Sequence, residues 1–483
     1  MDNIAFRPAT ELARLIRSRR ISSRELLELY LSRIEKFNKQ INAVVTLDAE
    51  SARRQAHRAD EMQARGESLG PLHGVPVTIK DGFETAGLRT TSGAPMYKDH
   101  IPQANAAAVQ RYVDAGAVIM GKTNVPQFCA DWQSYNTAFG TTNNPWDLTR
   151  TPGGSSGGAA AALAAGLTGL EVGSDIAGSI RLPAAWSGVY GHKPSYGIVP
   201  FRGHIPPPPG ILSEVDLAVA GPMGRSAADL KLALKILAGP DPSEATGWKL
   251  TLPPPRAKRL QDYRVAAWLE DAAIPVDREV ADCLQHAVTA LRKAGVQVDE
   301  TARPGIAASE AIRTYNRLLN PVSAAGFPKQ VIEFLKQLAQ TESEESAMGR
   351  FARDATQTHR EWLGANAKRY AHRRLWTDFF QNYDILLCPA VSVAAIEHNV
   401  TGTQMDRRIT VNAQPQPYDL LMAWVGLFTY VYLPVTCAPM GRTSGNLPVG
   451  IQIVGPYLED RTPIDFAERL AREIGGFTAP PGY

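Results

Sequence analysis

The chain has 483 residues, of which 44% are hydrophobic and 20% are charged. This composition is typical of globular domains and excludes a disordered chain and a fibrous repeat. The 51 lysines and arginines nearly balance the 48 acidic residues and leave a formal net charge of +3, which gives no indication of a nucleic-acid partner.

The first third of the chain alternates helix and strand signals. Residues 9–19 have the pattern of a short amphipathic helix, and the spacing of Ser22 and Glu25 is that of a capping box at the start of the next helix. The further predicted elements are a strand at residues 41–47, a polar helix at 49–65, a strand at 72–80, a helix at 104–115 and a strand at 117–120.

The same alternation continues to the C-terminus. Residues 159–166 predict a helix of small side chains that lets neighbouring backbones approach closely, and the chain ends with a strand at 448–455 and a helix at 463–474. This order predicts the α/β class, with a central mixed β-sheet covered by helices on both faces.

The sequence shows no clear domain boundary. At roughly 150 residues per domain, the length corresponds to about three domains, but the proline-rich stretches 206–209 and 252–255 are short and are interpreted as surface loops. We therefore predict a single large α/β/α domain over residues 1–483. Residues 305–385 are mostly helical, more charged and less patterned toward a core, and we predict that they form a lid or side wall.

One segment is long and apolar enough to require a membrane test. Residues 420–440 carry no formal charge and have the length of a bilayer span, but Pro434 and Pro439 interrupt the second half, so we predict a buried helix and a buried strand. The N-terminus lacks the layout of a signal peptide. The four cysteines form no CxxC pair, which disfavours a disulfide scaffold and a zinc site and favours the cytoplasm.

Residues Gly116–Thr123 match the phosphate-binding pattern GxxxxGK[ST]. A phosphate loop follows a strand and opens a helix, whereas here the preceding residues predict a helix and the residues between the glycines predict a strand. The order is reversed, so we do not interpret this match as a nucleotide site.

Residues Gly153–Gly158 fit the GxSxG nucleophile-elbow pattern on either Ser155 or Ser156. An elbow requires an apolar strand before it, but residues 141–152 are polar and contain two prolines. A flexible linker is the alternative, yet this stretch runs directly into a predicted helix. We therefore predict a structured functional loop.

Two further stretches carry reactive groups. Ser179 follows Ala177 and Gly178 in a turn of small residues, where successive backbone N–H groups can converge on an oxyanion if Gly178 adopts an unusual φ and ψ; a helix-capping turn is the alternative. Lys80 ends an apolar strand. If it is buried, its neutral amine is favoured and can act as a base; a solvated loop is the alternative.

These stretches occur together in one order: residues 70–81, then 153–158, then 173–183. With 116–124 and 447–462, they resemble the amidase signature family from about residue 5 to the C-terminus. The resemblance implies the amidase signature fold and a Ser–cisSer–Lys triad. In that triad Ser179 is the nucleophile, Ser155 bridges from a cis peptide bond after Gly154, and Lys80 is the base.

The resemblance also implies roles for neighbouring groups. The backbone N–H groups expected to hold the oxyanion are those of Ile176, Ala177, Gly178 and Ser179. The residues expected to support the loops without reacting are Gly154, Ser156, Asp175 and Arg181. No metal and no organic cofactor is expected. This chain departs from the common family pattern at Ser174, Ala177 and Gln127, but all three triad positions are filled.

The function implied is hydrolysis of the C–N bond of a small carboxamide or anilide, with esters and carbamates as further substrates for the same acyl transfer. The expected partners are a small amide substrate and water, with no nucleic acid and no membrane, and the chain is expected to be a monomer or a homodimer. The first alternative is a glutaminase-type subunit of a glutamyl-tRNA amidotransferase complex. The second is a nucleotide hydrolase built on residues 116–123.

Overall fold

Local signals in the sequence determine where several helices begin. The side chain of Ser22 accepts a hydrogen bond from the Glu25 N–H, and the Glu25 carboxylate accepts one from the Ser22 N–H at 2.7 Å, which completes the predicted capping box. The structure is a computed structural model that describes residues 2–67 and 70–483. Residues 1, 68 and 69, which the prediction of one domain also includes, lie outside the described residues.

The described residues contain fourteen α-helices. They are α1 (Ala9–Arg17), α2 (Ser23–Ile41), α3 (Ala49–Ala64), α4 (Ala107–Asp114), α5 (Gly157–Ala164), α6 (Arg181–Ser187), α7 (Ala227–Leu237), α8 (Arg278–Lys293), α9 (Ala308–Ala324), α10 (Lys329–Thr341), α11 (Ala347–Ala355), α12 (His359–Asn382), α13 (Ala423–Thr429) and α14 (Arg461–Ile474).

Fifteen β-strands lie in the same described ranges. They are β1 (Val44–Leu47), β2 (Pro76–Lys80), β3 (Val118–Thr123), β4 (Tyr135–Asn136), β5 (Gly140–Thr141), β6 (Glu171–Asp175), β7 (Tyr190–Lys193), β8 (Val219–Gly224), β9 (Val265–Ala267), β10 (Val298–Asp299), β11 (Ile385–Pro389), β12 (Arg408–Val411), β13 (Gln414–Pro417), β14 (Val435–Arg442) and β15 (Pro448–Val454).

The main sheet has eight strands in the order β10-β9-β11-β15-β14-β7-β8-β6. Strand β9 pairs in parallel with β10 and β11, and the remaining neighbours are antiparallel, so the sheet is mixed as predicted. A smaller sheet, β1-β3-β2, lies beside the β6 edge. The two sheets are joined there by Thr78, whose hydroxyl donates to Glu171 Oε1 at 2.5 Å.

Helices cover both faces of the main sheet, as alternate residues of β11 demonstrate. Ile385 and Leu387 belong to a core that includes α8 and α14, whereas Leu386 and Cys388 belong to a core that includes α9, α12 and α13. Because successive side chains of a strand point to opposite faces, each face has its own helical layer. The predicted α/β class is confirmed.

The charge-free segment 420–440 is a buried helix, α13, followed by the buried strand β14, as predicted. In the part of the chain that the structure describes, no helix combines the length and the apolarity that crossing a membrane requires. Segment 305–385 consists mainly of helices α9 to α12.

The small residues of α5 allow a close backbone approach. A Cβ atom placed on Gly158 would lie 2.3 Å from the backbone nitrogen of Asn124, at the end of β3. A methyl group does not fit at that distance, so the first turn of α5 packs directly on the loop that follows β3. This contact holds the start of α5, and with it the loop at 153–156, against the smaller sheet.

We expect Gly158→Ala to lower the free energy of unfolding by about 1–3 kcal/mol, because the added methyl group forces two backbones apart. Gly364→Ala is the matched control: this glycine also lies in a helix, but its Cβ would meet nothing within 4 Å, so the substitution should stabilise the protein by about 0.5–1 kcal/mol. Chemical denaturation of both variants measures the two changes. If both substitutions changed the free energy of unfolding in the same direction, the close approach of α5 to Asn124 would be contradicted.

Candidate active site

The side chain of Lys80, at the end of β2, is fully buried and surrounded by serine hydroxyls. Its Nζ lies 2.6 Å from Ser155 Oγ, 2.9 Å from Ser156 Oγ and 2.9 Å from Ser174 Oγ. Ser155 and Ser156 lie in the loop before α5, and Ser174 lies in strand β6. The folded chain thus brings together two of the predicted reactive groups, Lys80 and Ser155. No carboxylate forms an ion pair with this amine among the described residues.

Burial lowers the pKa of the Lys80 amine below its ordinary value, although Cys129, Asp175 and Glu171 partly offset the effect. Removal from water disfavours the charged form, and hydroxyl neighbours do not replace a counterion. A neutral amine can accept a proton, which is the property that the sequence analysis required of this residue.

The loop that carries Ser155 is built tightly around its backbone. The Gly154–Ser155 peptide bond is cis, and a Cβ atom on Gly154 would lie 2.6 Å from the carbonyl oxygen of Asp131. The hydroxyl of Ser134 donates to the carbonyl of Gly153 at 3.0 Å. A neighbouring loop at 131–134 therefore determines where Ser155 lies, and a side chain at position 154 would displace it.

Asp175 organises the loop that carries Ser179. Its carboxylate accepts hydrogen bonds from the N–H groups of Gly178 at 2.9 Å and Ile180 at 3.1 Å, and from the guanidinium of Arg181 at 2.8 and 3.0 Å. Burial alone would raise the pKa of this carboxyl, but the charge and hydrogen bonds of Arg181 outweigh burial and hold the pKa at about 2. The carboxylate is therefore ionised and can hold the loop closed.

Arg181 extends this network into the core. Its guanidinium also donates to the carbonyl of Val425 at 2.9 Å, to Thr429 Oγ1 at 2.8 Å and to Gln452 Oε1 at 2.9 Å. The side chains of Asp175 and Arg181 are both 0% exposed. One buried ion pair thus connects the Ser179 loop to α13 and β15.

The four backbone N–H groups predicted to form the oxyanion hole are not equivalent. Gly178 has the predicted unusual conformation, with φ of 95°, but its N–H already donates to Asp175 Oδ1. Among the described residues, the structure gives no acceptor to the N–H groups of Ile176, Ala177 and Ser179. Three of the four predicted donors are therefore without an acceptor in the described part of the chain, and the fourth is engaged by Asp175.

Two aromatic side chains hold the carbonyl groups of this loop. Trp132 Nε1 donates to the carbonyl of Ala177 at 2.9 Å, and the Tyr315 hydroxyl donates to the carbonyl of Ile176 at 2.9 Å. With its carbonyls held by these two donors, the loop keeps one orientation of its peptide groups. Neither aromatic residue was predicted, because no motif contains them.

Ser179 is 6% exposed and lies beside the Ser155 loop. The N–H of Ser156 donates to the carbonyl of Ser179 at 3.1 Å, so the two serine loops are joined through their backbones. Among the described residues, no hydrogen bond joins the hydroxyls of Ser179 and Ser155. Such bonds often form only when substrate is present.

The site contains a histidine that the sequence analysis did not predict. His204 Nε2 lies 2.8 Å from Ser174 Oγ, and its Nδ1 lies 2.9 Å from the carbonyl oxygen of Pro206. Burial lowers the pKa of this imidazole to about 3. The only sequence signal was its place two residues before the proline run 206–209, which was interpreted as a surface loop.

The competing motif interpretations fail on structure. No strand directly precedes Ser155: β5 ends at Thr141, and 142–156 are described without a strand, so no nucleophile elbow forms. Residues 118–123 of the phosphate-loop match form strand β3, where the Lys122 amine is buried and donates to the hydroxyls of Thr85 and Thr90 at 3.1 and 3.0 Å. No cluster of metal-binding side chains occurs in the described ranges.

Lys80 and the serine hydroxyls around it form an enclosed polar site within the mixed α/β fold. The amidase family model matches residues 25–463. The indoleacetamide hydrolase of Bradyrhizobium diazoefficiens is 32% identical over 471 residues, with 97% of this chain and 86% of that protein covered. A glutamyl-tRNA(Gln) amidotransferase subunit of Anaeromyxobacter sp. strain K is 33% identical, with 98% of this chain and 99% of that protein covered.

Among solved structures, a bacterial aryl acylamidase of the amidase signature family superimposes with a TM-score of 0.82 at 25% identity, covering 97% of this chain and 96% of that chain. The chain belongs to the amidase signature family. Its membership makes it an amidohydrolase, and it confirms the resemblance drawn from the motifs.

We expect Arg181→Met to lower the free energy of unfolding by about 3–5 kcal/mol, because the substitution leaves the Asp175 carboxylate buried without its partner. Arg259→Met is the control, since Arg259 forms an ion pair with Asp262 but its side chain is 74% exposed, and exposed pairs contribute little. Thermal and urea unfolding of both variants test the difference. Similar losses of unfolding free energy in the two variants would show that the buried ion pair contributes no more to stability than the exposed pair.

Proposed function

We propose that this protein hydrolyses the C–N bond of a small carboxamide or anilide through an acyl-enzyme on Ser179. Lys80 is the base and Ser155 carries the proton between them. The proposal depends on the environment of the Lys80 amine. This amine is buried, has no carboxylate partner among the described residues and lies 2.6 Å from Ser155 Oγ.

In the proposed acylation, Ser179 Oγ forms a bond to the substrate carbonyl carbon. Its proton passes to Ser155 Oγ as the proton of Ser155 passes to the neutral Lys80 amine. The tetrahedral intermediate then breaks its C–N bond, and the protons return by the same route to the leaving nitrogen. Water attacks the resulting ester in the same way, which releases the carboxylic acid and restores Ser179.

Negative charge develops on the carbonyl oxygen during both attacks. The proposed donors to this oxygen are the N–H groups of Ile176, Ala177 and Ser179, because that of Gly178 is engaged by Asp175. Donors that are already oriented need no rearrangement when the charge appears, so they stabilise the transition state more than the substrate. Asp175 and Arg181 hold this loop, and Gly154 and Ser156 hold the Ser155 loop.

The names of two relatives support an aromatic amide as substrate. One is an indoleacetamide hydrolase and the other an aryl acylamidase, so both names specify a substrate that carries an aromatic group. Esters and carbamates fit the same acyl transfer. We propose that helices α9 to α12, which span most of 305–385, form the side wall of the substrate site, and the contact from Tyr315 to the Ile176 carbonyl supports this placement.

A second candidate is a glutaminase-type subunit of a glutamyl-tRNA amidotransferase complex. Several relatives that are 31–33% identical are named as one of the subunits of that amidotransferase and are covered over most of their length. These identities match that of the indoleacetamide hydrolase, so sequence distance does not separate the two functions. They differ in what the chain does without partner subunits.

We expect a fluorophosphonate probe to label the isolated chain on Ser179, with a rate at least about 100-fold lower in Lys80→Met because general-base assistance is lost. Peptide mass spectrometry locates the adduct and a time course gives the rate. Lys122→Met is the matched control: it also removes a buried lysine, but one that contacts threonine hydroxyls instead of the serines.

Each contrary result of this experiment has a separate meaning. An adduct on Ser155 or Ser156 would contradict the assignment of the nucleophile. Labelling that requires added amidotransferase partner subunits, together with release of ammonia from glutamine, would favour the second candidate. Equal rates in the wild type and Lys80→Met would remove Lys80 as the base.

The labelling rate should depend on pH through Lys80. Only the neutral amine accepts a proton, and burial lowers the pKa of Lys80 below 10.5. The rate should therefore be low in acid and rise with pH through a midpoint below 10.5, the ordinary value for lysine. A pH profile of Ser179 labelling measures that midpoint, and Lys80→Met should flatten the profile. A midpoint above 10.5 would contradict a desolvated base.

A further inference from the structure

A buried chain of hydrogen bonds runs from the Lys80 amine away from Ser155. Lys80 Nζ lies 2.9 Å from Ser174 Oγ, which lies 2.8 Å from His204 Nε2. The opposite ring nitrogen, Nδ1, lies 2.9 Å from the carbonyl oxygen of Pro206. All three side chains of Lys80, Ser174 and His204 are buried, at 0%, 5% and 6% exposure.

The direction of each hydrogen bond in this chain follows from its two ends. The carbonyl of Pro206 can only accept, so Nδ1 of His204 carries the ring proton. The low pKa of this imidazole keeps it neutral, which leaves Nε2 as an acceptor. Ser174 therefore donates its single hydroxyl proton to Nε2, and its oxygen accepts from Lys80.

The direction of the hydrogen bond from Ser174 to His204 determines whether the Lys80 amine directs its lone pair or an N–H at Ser155. A neutral amine has two N–H donors and one lone pair. If the Ser174 hydroxyl were free to rotate, it could donate to that lone pair and occupy it. With its proton committed to His204, Ser174 can only receive an N–H from Lys80. The Ser156 hydroxyl, 2.9 Å from the amine, donates to the carbonyl of Ser174 at 3.5 Å and can likewise receive an N–H. The lone pair then remains for the hydroxyl of Ser155 at 2.6 Å.

We propose that His204 is a positioning residue that acts through Ser174 to keep the lone pair of Lys80 directed at Ser155. The inference deepens the proposed function and rests on it. His204 does not touch the reacting atoms, so its effect appears in the rate of the chemical step and not in ligand binding.

The surroundings of His204 hold the imidazole in the required plane. Its ring stacks on Phe201 with centroids 4.4 Å apart and meets the edge of Phe83 at 4.8 Å. A Cβ atom on Gly82 would lie 2.8 Å from Nε2, so glycine at that position leaves room for the ring. These contacts restrict the imidazole to the orientation in which Nε2 faces Ser174.

The test is a double-mutant cycle on fluorophosphonate labelling of Ser179, with four proteins: wild type, His204→Leu, Ser174→Ala and the double variant. The maximal labelling rate and the half-saturating probe concentration are measured separately for each. His73→Leu is the control for loss of a buried histidine, because His73 contacts the carbonyl of Ala59 away from the site. Thermal unfolding establishes that each protein is folded under assay conditions.

We expect His204→Leu to lower the maximal rate about tenfold in the wild-type background, the equivalent of one hydrogen bond. In the Ser174→Ala background the same substitution should change the rate by less than about twofold, because the hydroxyl through which it acts is absent. The half-saturating concentration should stay the same throughout, and His73→Leu should label like wild type.

Other outcomes overturn the inference or its basis, and they can be told apart. If His204→Leu lowers the maximal labelling rate by the same factor in the wild-type and Ser174→Ala backgrounds, His204 acts through packing and not through Ser174. If it does not lower the rate in the wild-type background, His204 has no effect on the chemical step. A change confined to the half-saturating concentration would make it part of the binding surface. If the wild type is not labelled on Ser179 at all, the proposed function fails first.

Discussion

The buried ion pair of Asp175 and Arg181 is the constraint on which the arrangement of the site depends. Two charges without access to water are stable only when each is fully satisfied, and here the carboxylate collects backbone N–H groups while the guanidinium collects acceptors from α13 and β15. The loop carrying Ser179 is therefore held by the same interaction that joins two distant parts of the core. Its geometry is a property of the whole domain and not of the loop alone.

The fold could be predicted from the sequence to the level of its elements. The hydrophobic pattern located several helices and strands, among them α2, β3 and β15. The prolines at 434 and 439 correctly indicated a helix and a strand where hydropathy alone suggested a span. Strand order could not be predicted, because neighbours such as β6 and β8 or β11 and β15 are paired by long-range packing. The contact of the smaller sheet with β6 likewise leaves no local pattern.

Residues of the candidate site could also be predicted only where a local motif contains them. The motifs that contain Lys80, Ser155 and Ser179 are local, so they could be recognised in the sequence, although each had an alternative until the family resemblance assigned the roles. The structure shows that Lys80 is buried. Groups that orient these residues come from elsewhere in the chain: His204 precedes a proline run, and Trp132 stands in a loop with no repeated pattern. The hydrogen bond from the Gly178 N–H to Asp175 could not be predicted from the sequence either, because it depends on backbone geometry.

The hydrogen bond from Tyr315 to the carbonyl of Ile176 has a consequence for chimeric proteins of this family. It connects a helix of segment 305–385 to the loop before Ser179, although the two residues are 139 positions apart in the chain. In a chimera whose junction lies between Ile176 and Tyr315, the donor and the acceptor of this hydrogen bond would come from different parent proteins. Exchange of the helical segment for that of a relative therefore carries the loop's support with it, and the incoming segment must bring a donor to the same carbonyl.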